Sequence, residues 1–386
     1  MLKLRRKGFT IVELIIVIAV IAILSAVIIP SFINLSKKAN MSADQQAVRQ
    51  MNVVLSGNKY ETIEEAVNGL SEAGYNALDT LTPVTAGYSF WWVEEYNSIV
   101  LLNEKQEVVF ASNKDAEKNF SSAKEKGKAF NLKRGLPKKE LDNVDDVRKA
   151  LEKGQSVTLK ADIHLNTKNI RINEGEDIVL DLGGKTITVD KTGERSLYAI
   201  DNYGSLTIKN GIIKARGIEN FGNMIIEEGV TIETTDKNGG AAIWNQEGTL
   251  IINGGTFKAV DGTTVTVGST PLINVGGEVT INGGTFEGNE YNYAIINKTY
   301  NGLENGTIIV NNCTIIAKRG VFASNTGTVT INNGNFTYDG INSGWGIACS
   351  GGKVIINDGT FVNNSGRNLY TDKTEEGQGI IEDNRD

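Results

Sequence analysis

The sequence predicts a multidomain chain: a long amino-terminal α-helix that crosses a membrane, a small α+β region, and then an all-β solenoid. Three observations predict it. A basic leader, MLKLRRK, runs into an apolar stretch from Phe9 to Ile29 that carries one charge, Glu13. A stretch from 88 to 111 alternates apolar and polar residues and is rich in aromatics. From Ser156 onward, one apolar pattern with Asn and Gly turns recurs to the end of the chain.

The apolar run comes first. About 21 residues at about 1.5 Å each make a rod of about 31 Å, the thickness of a bilayer's hydrocarbon core. Lys3, Arg5, Arg6 and Lys7 lie on one side of it and place the leader in the cytoplasm. A cleaved secretory signal needs a shorter apolar core followed by small residues before the cut. A plain membrane anchor fits the length and flanks but leaves Glu13 unexplained. An acid in the apolar core costs about 2.5–3.5 kcal/mol on insertion scales, and marks a function with a named partner. A new amino terminus made after Gly8 would be such a partner, at the same depth on a neighbouring copy.

The basic leader, Gly8, Phe9, Thr10, Glu13, the apolar helix and Pro30 together resemble the amino terminus of type IV prepilins and pseudopilins. The resemblance covers only about the first 50 residues. It implies cleavage between Gly8 and Phe9 by a prepilin peptidase, methylation of the Phe9 nitrogen, and pairing of Glu13 with the Phe9 terminus of an adjacent subunit. In this reading residues 1–8 are a leader, 9–57 form the transmembrane and assembly helix, and 9–29 cross the membrane. Pro30 marks a bend.

Composition bounds the rest. At 386 residues the chain exceeds one core, so two or more domains are expected. The net charge of −7, and −11 once the four leader cations are removed, argues against a nucleic-acid partner. With one His and two Cys there is almost no material for a zinc site or a His-based triad, and no metal or cofactor is expected.

Beyond Pro30 the helix continues, with Val48, Met51 and Leu55 at spacings of three and four and Gly57 as its stop. Residues 58–112 read as a small α+β, pilin-like head. In its short helix Thr62 caps, Glu65 follows three residues later, and Ile63, Ala66, Val67 and Leu70 share a face. Three strands near 88–94, 98–103 and 107–111 should pair antiparallel, with Tyr88, Phe90 and Trp92 on the core face. The charge-rich stretch 113–143 reads as a linker with room for a frayed helix. Val144, Val147 and Leu151 then make a short amphipathic cap that opens a domain at 144–386.

The repeats in that domain include GSLTIKNGII (204–213), GTLIINGGTF (248–257), GEVTINGGTF (277–286), GTVTINNGNF (327–336) and GKVIINDGTF (352–361). Units of roughly 18–29 residues with several short strands read as stacked coils. No coil buries its own apolar stripe, whereas stacking makes one continuous core. A second register is apolar-x-Asn: Ile200-x-Asn202, Ile218-x-Asn220, Ile243-x-Asn245, Leu272-x-Asn274 and Ile295-x-Asn297. Residues two apart on a strand face the same way, so the aliphatics should stack inside and the asparagines form an amide ladder. The pattern resembles the right-handed parallel β-helix of pectate-lyase-like proteins, a likeness of fold that brings no diagnostic active site. Cys313 stands in a Gly column and Cys349 in the Asn column, so the two should be free, packed thiols.

The column between aliphatics and asparagines should point outward: Asp201, Glu219, Trp244, Ile273, Ile296, Phe322 and Ala348. Asp201 and Glu219 would be neighbours about 4.8 Å apart, and paired carboxylates beside a ring are how many polysaccharide-cleaving sites begin. The plainer reading, acids sharing a solvated surface, is preferred because no third acid, Arg or His recurs beside them. Trp244, Ile273, Ile296 and Phe322 read as an exposed apolar strip, a candidate binding surface or one covered by the 113–143 stretch. The insertions 261–270 and 298–306 should flank it.

The expectation is a non-enzymatic pilin-like or pseudopilin-like subunit of a type IV pilus or type II secretion-type filament. Its partners are other pilin-like subunits and a prepilin peptidase, and its β-helix meets a surface glycan or protein ligand. It sits in the cell membrane by a single pass, with the carboxy-terminal domain outside. The alternative is a membrane-anchored polysaccharide-active enzyme with Asp201 and Glu219 in its site.

Overall fold

A computed structural model describes residues 11–385, except 167, 190, 193–194, 237–238, 261–268, 342–343, 365, 367–368 and 371–378. The side chains of 11–14, 16–17, 19–34, 191–192 and 195–196 also fall outside the described set. The chain divides into two compact units, Met1–Phe130 and Asn131–Asp386.

The first unit is built on α1 (Ile11–Leu55), one helix that runs through Pro30 without interruption. Among the described residues, no helix is long and apolar enough to cross a membrane; most side chains of the apolar run lie outside that set. Past residue 34, Val48, Met51 and Leu55 are fully buried, the stripe their spacing requires. Helix α2 (Ile63–Ser71) buries Ile63, Ala66, Val67 and Leu70. At its start the Thr62 hydroxyl accepts from the Glu65 amide at 3.2 Å, and the Glu65 carboxylate accepts from the Glu61 amide at 3.0 Å. Strands β1 (Ser89–Val93), β2 (Ser98–Leu102) and β3 (Val108–Ala111) pair antiparallel in sequence order. Two side chains tie α1 to this sheet and to the loop that leads into it. The Asn52 amide brackets Ile99, donating to its carbonyl and accepting from its N–H, and the buried Asp44 carboxylate accepts from the amides of Val84 and Thr85.

The structure corrects the linker reading. Residues 114–125 are α3 (Lys114–Glu125), capped by Asn113, and β4 (Ala129–Asn131) adds to the free edge of β1. The physical reason is a narrow stripe, Ala116, Phe120 and Ala123, that the charges around it hide from a periodicity count. Its consequence is that β1 is buried on both faces: Trp91 and Val93 pack on α3, with the Trp91 and Phe120 rings edge to face at 5.8 Å. One-sided alternation of Tyr88, Phe90 and Trp92 therefore described half of the packing.

The second unit is a parallel β-solenoid whose cap begins before residue 144, at β5 (Lys139–Leu141). Helix α4 (Val144–Glu152) closes its first coil, with Val147, Ala150 and Leu151 inside the core. Three parallel sheets run along it, of 11, 9 and 8 strands. In the 8-stranded sheet the pairing Ile200, Ile218, Ile243, Leu272, Ile295, Phe322, Ile347 is continuous, and all seven are buried. The asparagines stack as expected: Asn202, Asn220, Asn245 and Asn274 each donate to the carboxamide oxygen of the next coil, at 2.6–3.1 Å, ending on Asn297. Each also donates to a backbone carbonyl of its own turn or of the next coil, so no ladder N–H is left idle. Ser324 and Cys349 continue the column, and Cys313 and Cys349 are both free and buried. Burial pushes the Cys313 thiol up to about 12.

One member of the outward column is misplaced in the sequence reading. Phe322 pairs with Ile295 and Ile347 in the core, and Ala323 takes the outward place. The coil GVFAS has Ser324 where the others have Asn, so its register is ambiguous, and a slip of one residue exchanges the two faces.

Asn245→Ala tests the ladder. It leaves the Asn274 carboxamide oxygen without its donor in a dry column, and should cost about 1–3 kcal/mol in denaturant unfolding. A loss within experimental error would show that the ladder contributes nothing to stability.

Candidate functional site

The outward column of the 8-stranded sheet reads Arg171, Asp201, Glu219, Trp244, Ile273, Ile296, Ala323, Ala348 along the axis. Asp201 and Glu219 are register partners on adjacent coils, as their positions in the repeat predict. Asp201 Oδ2 accepts from Asn169, while Oδ1 is buried with no hydrogen-bond partner. Burial raises the Asp201 carboxyl above the usual range, against the pull of Asn169 and Arg171. Burial and the neighbouring Asp201 charge push Glu219 up to about 7, with Arg216 opposing. Of the two, Glu219 is the carboxyl that holds its proton toward neutrality.

The surroundings are richer than the sequence suggests. Arg171 precedes Asp201 in the column, and the turn before each strand contributes Tyr198, Arg216 and the buried Asp236. Among the described residues Asp201 and Glu219 form no salt bridge: Arg171 sits on a ring, and Arg216 sits on a ring and beside Asp236. The Arg171 guanidinium lies 4.2 Å from the Tyr203 ring centre, and Tyr203 stacks on Phe221 at 4.7 Å with planes 6° apart. The Arg216 guanidinium lies 5.0 Å from the Tyr198 ring centre and 4.0 Å from Asp236. Chemically the row offers one unpartnered carboxylate oxygen and one carboxyl that is protonated at mildly acid pH. Such groups can accept from and donate to a hydroxylated ligand.

The apolar half of the column is covered. Ile273 is buried, and Trp244 and Ile296 are half-buried in a small cluster with Ala241, Val275 and Leu303. The insertion at 298–306 lies against it. Tyr300 meets Trp244 edge-on at 5.6 Å, and Lys298 Nζ lies 4.6 Å from the Trp244 ring centre. The other insertion, at 261–270, lies outside the described residues for 261–268.

A second ladder escaped the sequence reading. Asn384, Asn357, Asn332, Asn311, Asn282 and Asn253 donate one to the next at 2.9–3.1 Å, and Asn253 donates to Glu227. Its signal was the Asn that closes each apolar-x-apolar run, as in Ile252-Asn253 and Ile281-Asn282. Among the described residues, no group of three or more His, Cys, Asp or Glu is placed to hold a metal ion.

At the amino terminus, Gly8 and Phe9 lie outside the described residues, and Glu13 and Pro30 contribute backbone only, inside α1. Residues 3–29 match the family model of the prokaryotic N-terminal methylation motif. No solved structure matches the chain. The protein therefore carries a prepilin-type amino-terminal motif, followed in the same chain by a parallel β-solenoid.

Glu219 gives a test by pH. Its folded carboxyl holds its proton to about 7, above the unfolded value near 4.5, so its contribution is complete below the lower value and is lost as pH rises to the higher. Glu219→Gln should lack this loss. Its urea midpoint should gain on the parent between pH 4.5 and 7, and the gap should stay constant above that. Parallel curves across the range would show that the Glu219 carboxyl is not raised in the folded protein.

Proposed function

We propose that this chain is a pilin-like subunit of a type IV pilus or type II secretion-type filament, displaying its solenoid outside the cell for adhesion. The observation that carries the reading is the methylation motif at 3–29, on a chain whose α1 continues from it to Leu55. In this reading the membrane is crossed at 9–29, a peptidase cuts after Gly8, and the Phe9 nitrogen is methylated. Glu13 pairs with the new terminus of a neighbouring subunit. The α+β first unit serves as the pilin-like head. A solenoid of this size would crowd a dense shaft, so the subunit is a minor or adhesive one.

A second reading, a surface polysaccharide-active enzyme, gains support from one observation: Arg171, Arg216, Tyr198 and Asp236 do surround the Asp201–Glu219 pair. Turnover of a glycan that disappears in both Asp201→Asn and Glu219→Gln would move the assignment to it.

Mass spectrometry of the mature protein should show a methylated Phe9 terminus, and a bulky residue at Gly8 should leave the full-length chain in the membrane. Intact Met1 in cells with an active peptidase would sink the processing step. Glu13→Val should keep or improve membrane insertion, because the apolar core disfavours the charge, and should abolish recovery in sheared filaments. Normal recovery would refute the pairing.

A further inference from the structure

The 298–306 insertion is unlike the rest of its coil. Elsewhere the chain passes from the Asn column to the next Gly in one to three residues, as in Asn202-Tyr203-Gly204; between Asn297 and Gly306 it spends residues 298–305. Those residues form a hairpin of their own. Tyr300 and Leu303 exchange both backbone hydrogen bonds, at 3.3 and 3.0 Å, around Asn301 (φ 51°) and Gly302 (φ 81°). Two left-handed residues at the centre of a two-residue turn are what a tight hairpin needs. The base is pinned by Lys298 N–H to the Asn274 carbonyl and by Asn305 N–H to Thr326 Oγ1. Between those pins the hairpin touches the solenoid through few groups: Leu303 on the small apolar cluster, the edge of Tyr300 on Trp244, and Lys298 over the Trp244 ring.

Lys298 is the part that a permanent wall would not choose. Its ammonium is partly withdrawn from water, its pKa is lowered by that burial, and no carboxylate opposes the shift among the described residues. What holds it is the Trp244 face at 4.6 Å and, at 5.9 Å, Tyr300. A half-desolvated, unpaired charge recovers its hydration whenever the hairpin lifts, which lowers the cost of opening. Tyr300 itself remains 45 % exposed. The patch underneath is apolar: Trp244, Ile273, Val275 and Ile296, beside the small Ala241. Trp244 is also the register neighbour of Glu219, so lifting the hairpin would join an open aromatic face to the acid row.

We propose that residues 298–305 are a displaceable strap, which occupies the Trp244–Ile273–Ile296 patch in the resting protein and opens without unfolding the coils. The strap is a cover. The solenoid carries its hydrogen bonds and core without it, and its removal changes what the surface shows rather than whether the fold stands.

Native-state hydrogen exchange on the full-length chain in detergent, followed through the amides of Leu303 and Asn305, reads the opening directly. Both should exchange at least about 100-fold faster than the amides of 293–297, by an opening insensitive to low denaturant. Lys298→Met, which keeps the stem and removes the charge, should slow them about tenfold. A shortened chain that joins Lys298 to Gly306 should unfold at the parent's midpoint while binding a hydrophobic dye, and Trp244→Phe in that background should remove the newly quenchable tryptophan emission. Exchange of Leu303 and Asn305 only through global unfolding would overturn the proposal. So would a shortened chain with a clearly lowered midpoint, because the hairpin would then be part of the fold. Leu303→Ser keeps the test open if the shortened chain misfolds: it should raise dye binding with the midpoint unchanged, and unchanged dye binding counts against a strap.

Discussion

A coil of this solenoid has almost no hydrogen bonds of its own. Every strand in the three long sheets finds its backbone partners one coil away, and every inward aliphatic finds its packing partners there too. The constraint on the whole unit is therefore that successive coils keep one register, since a shift of a single residue turns the core outward. The buried amides at Asn202 to Asn297 enforce it. A carboxamide in a dry column must find a donor and an acceptor, and at Asn220, Asn245 and Asn274 the same residue on the coil before supplies the donor and that on the coil after the acceptor. Where the column breaks, at Ser324 and Cys349, the side chains still reach backbone carbonyls, Thr326 for the hydroxyl and Gly352 for the thiol.

The same stacking builds the candidate site. Two acids that are 18 residues apart in sequence become register neighbours because their coils are stacked, and the Asp201 charge adds to the cost of charging Glu219. Their nearest arginines are held on aromatic faces, so the acids keep hydrogen-bonding capacity that a salt bridge would have consumed. The column then changes character at Trp244, and the strap lies where it does. Charged and apolar halves of one surface row thus meet at a single ring, which touches Lys298 and Tyr300 on the strap and follows Glu219 in the sheet.

The first unit follows a different logic. Its sheet is only four strands wide and its central strands are buried on both faces, so it depends on helices from either side of it in sequence. Helix α1 was visible from Val48, Met51 and Leu55. Helix α3 was not, because three small or single apolar positions among Lys, Glu and Asp give a weak stripe by any count. It becomes a helix because Trp91, Val93, Val100 and Leu102 present an apolar surface that needs a cover, and that surface is assembled only after the strands pair.

By itself the sequence determined the amino-terminal motif, the long helix, the three antiparallel strands and the repeat that makes a solenoid. Each of these is local, or periodic enough to be read by comparing a segment with its own copies. It also determined the buried Asn column and the outward place of Asp201 and Glu219, since alternation along a strand fixes which side chains share a face. Only the tertiary structure decided that Phe322 takes the inward place and Ala323 the outward one, because GVFAS fits the repeat in two registers and the neighbouring coils select one. It alone placed Arg216, Tyr198 and Asp236 around the acids, from turn positions that follow no period. And it alone showed that the apolar strip is covered by the 298–306 hairpin: which segment folds onto a surface depends on where its two ends are held, and here both ends are coils of the same solenoid.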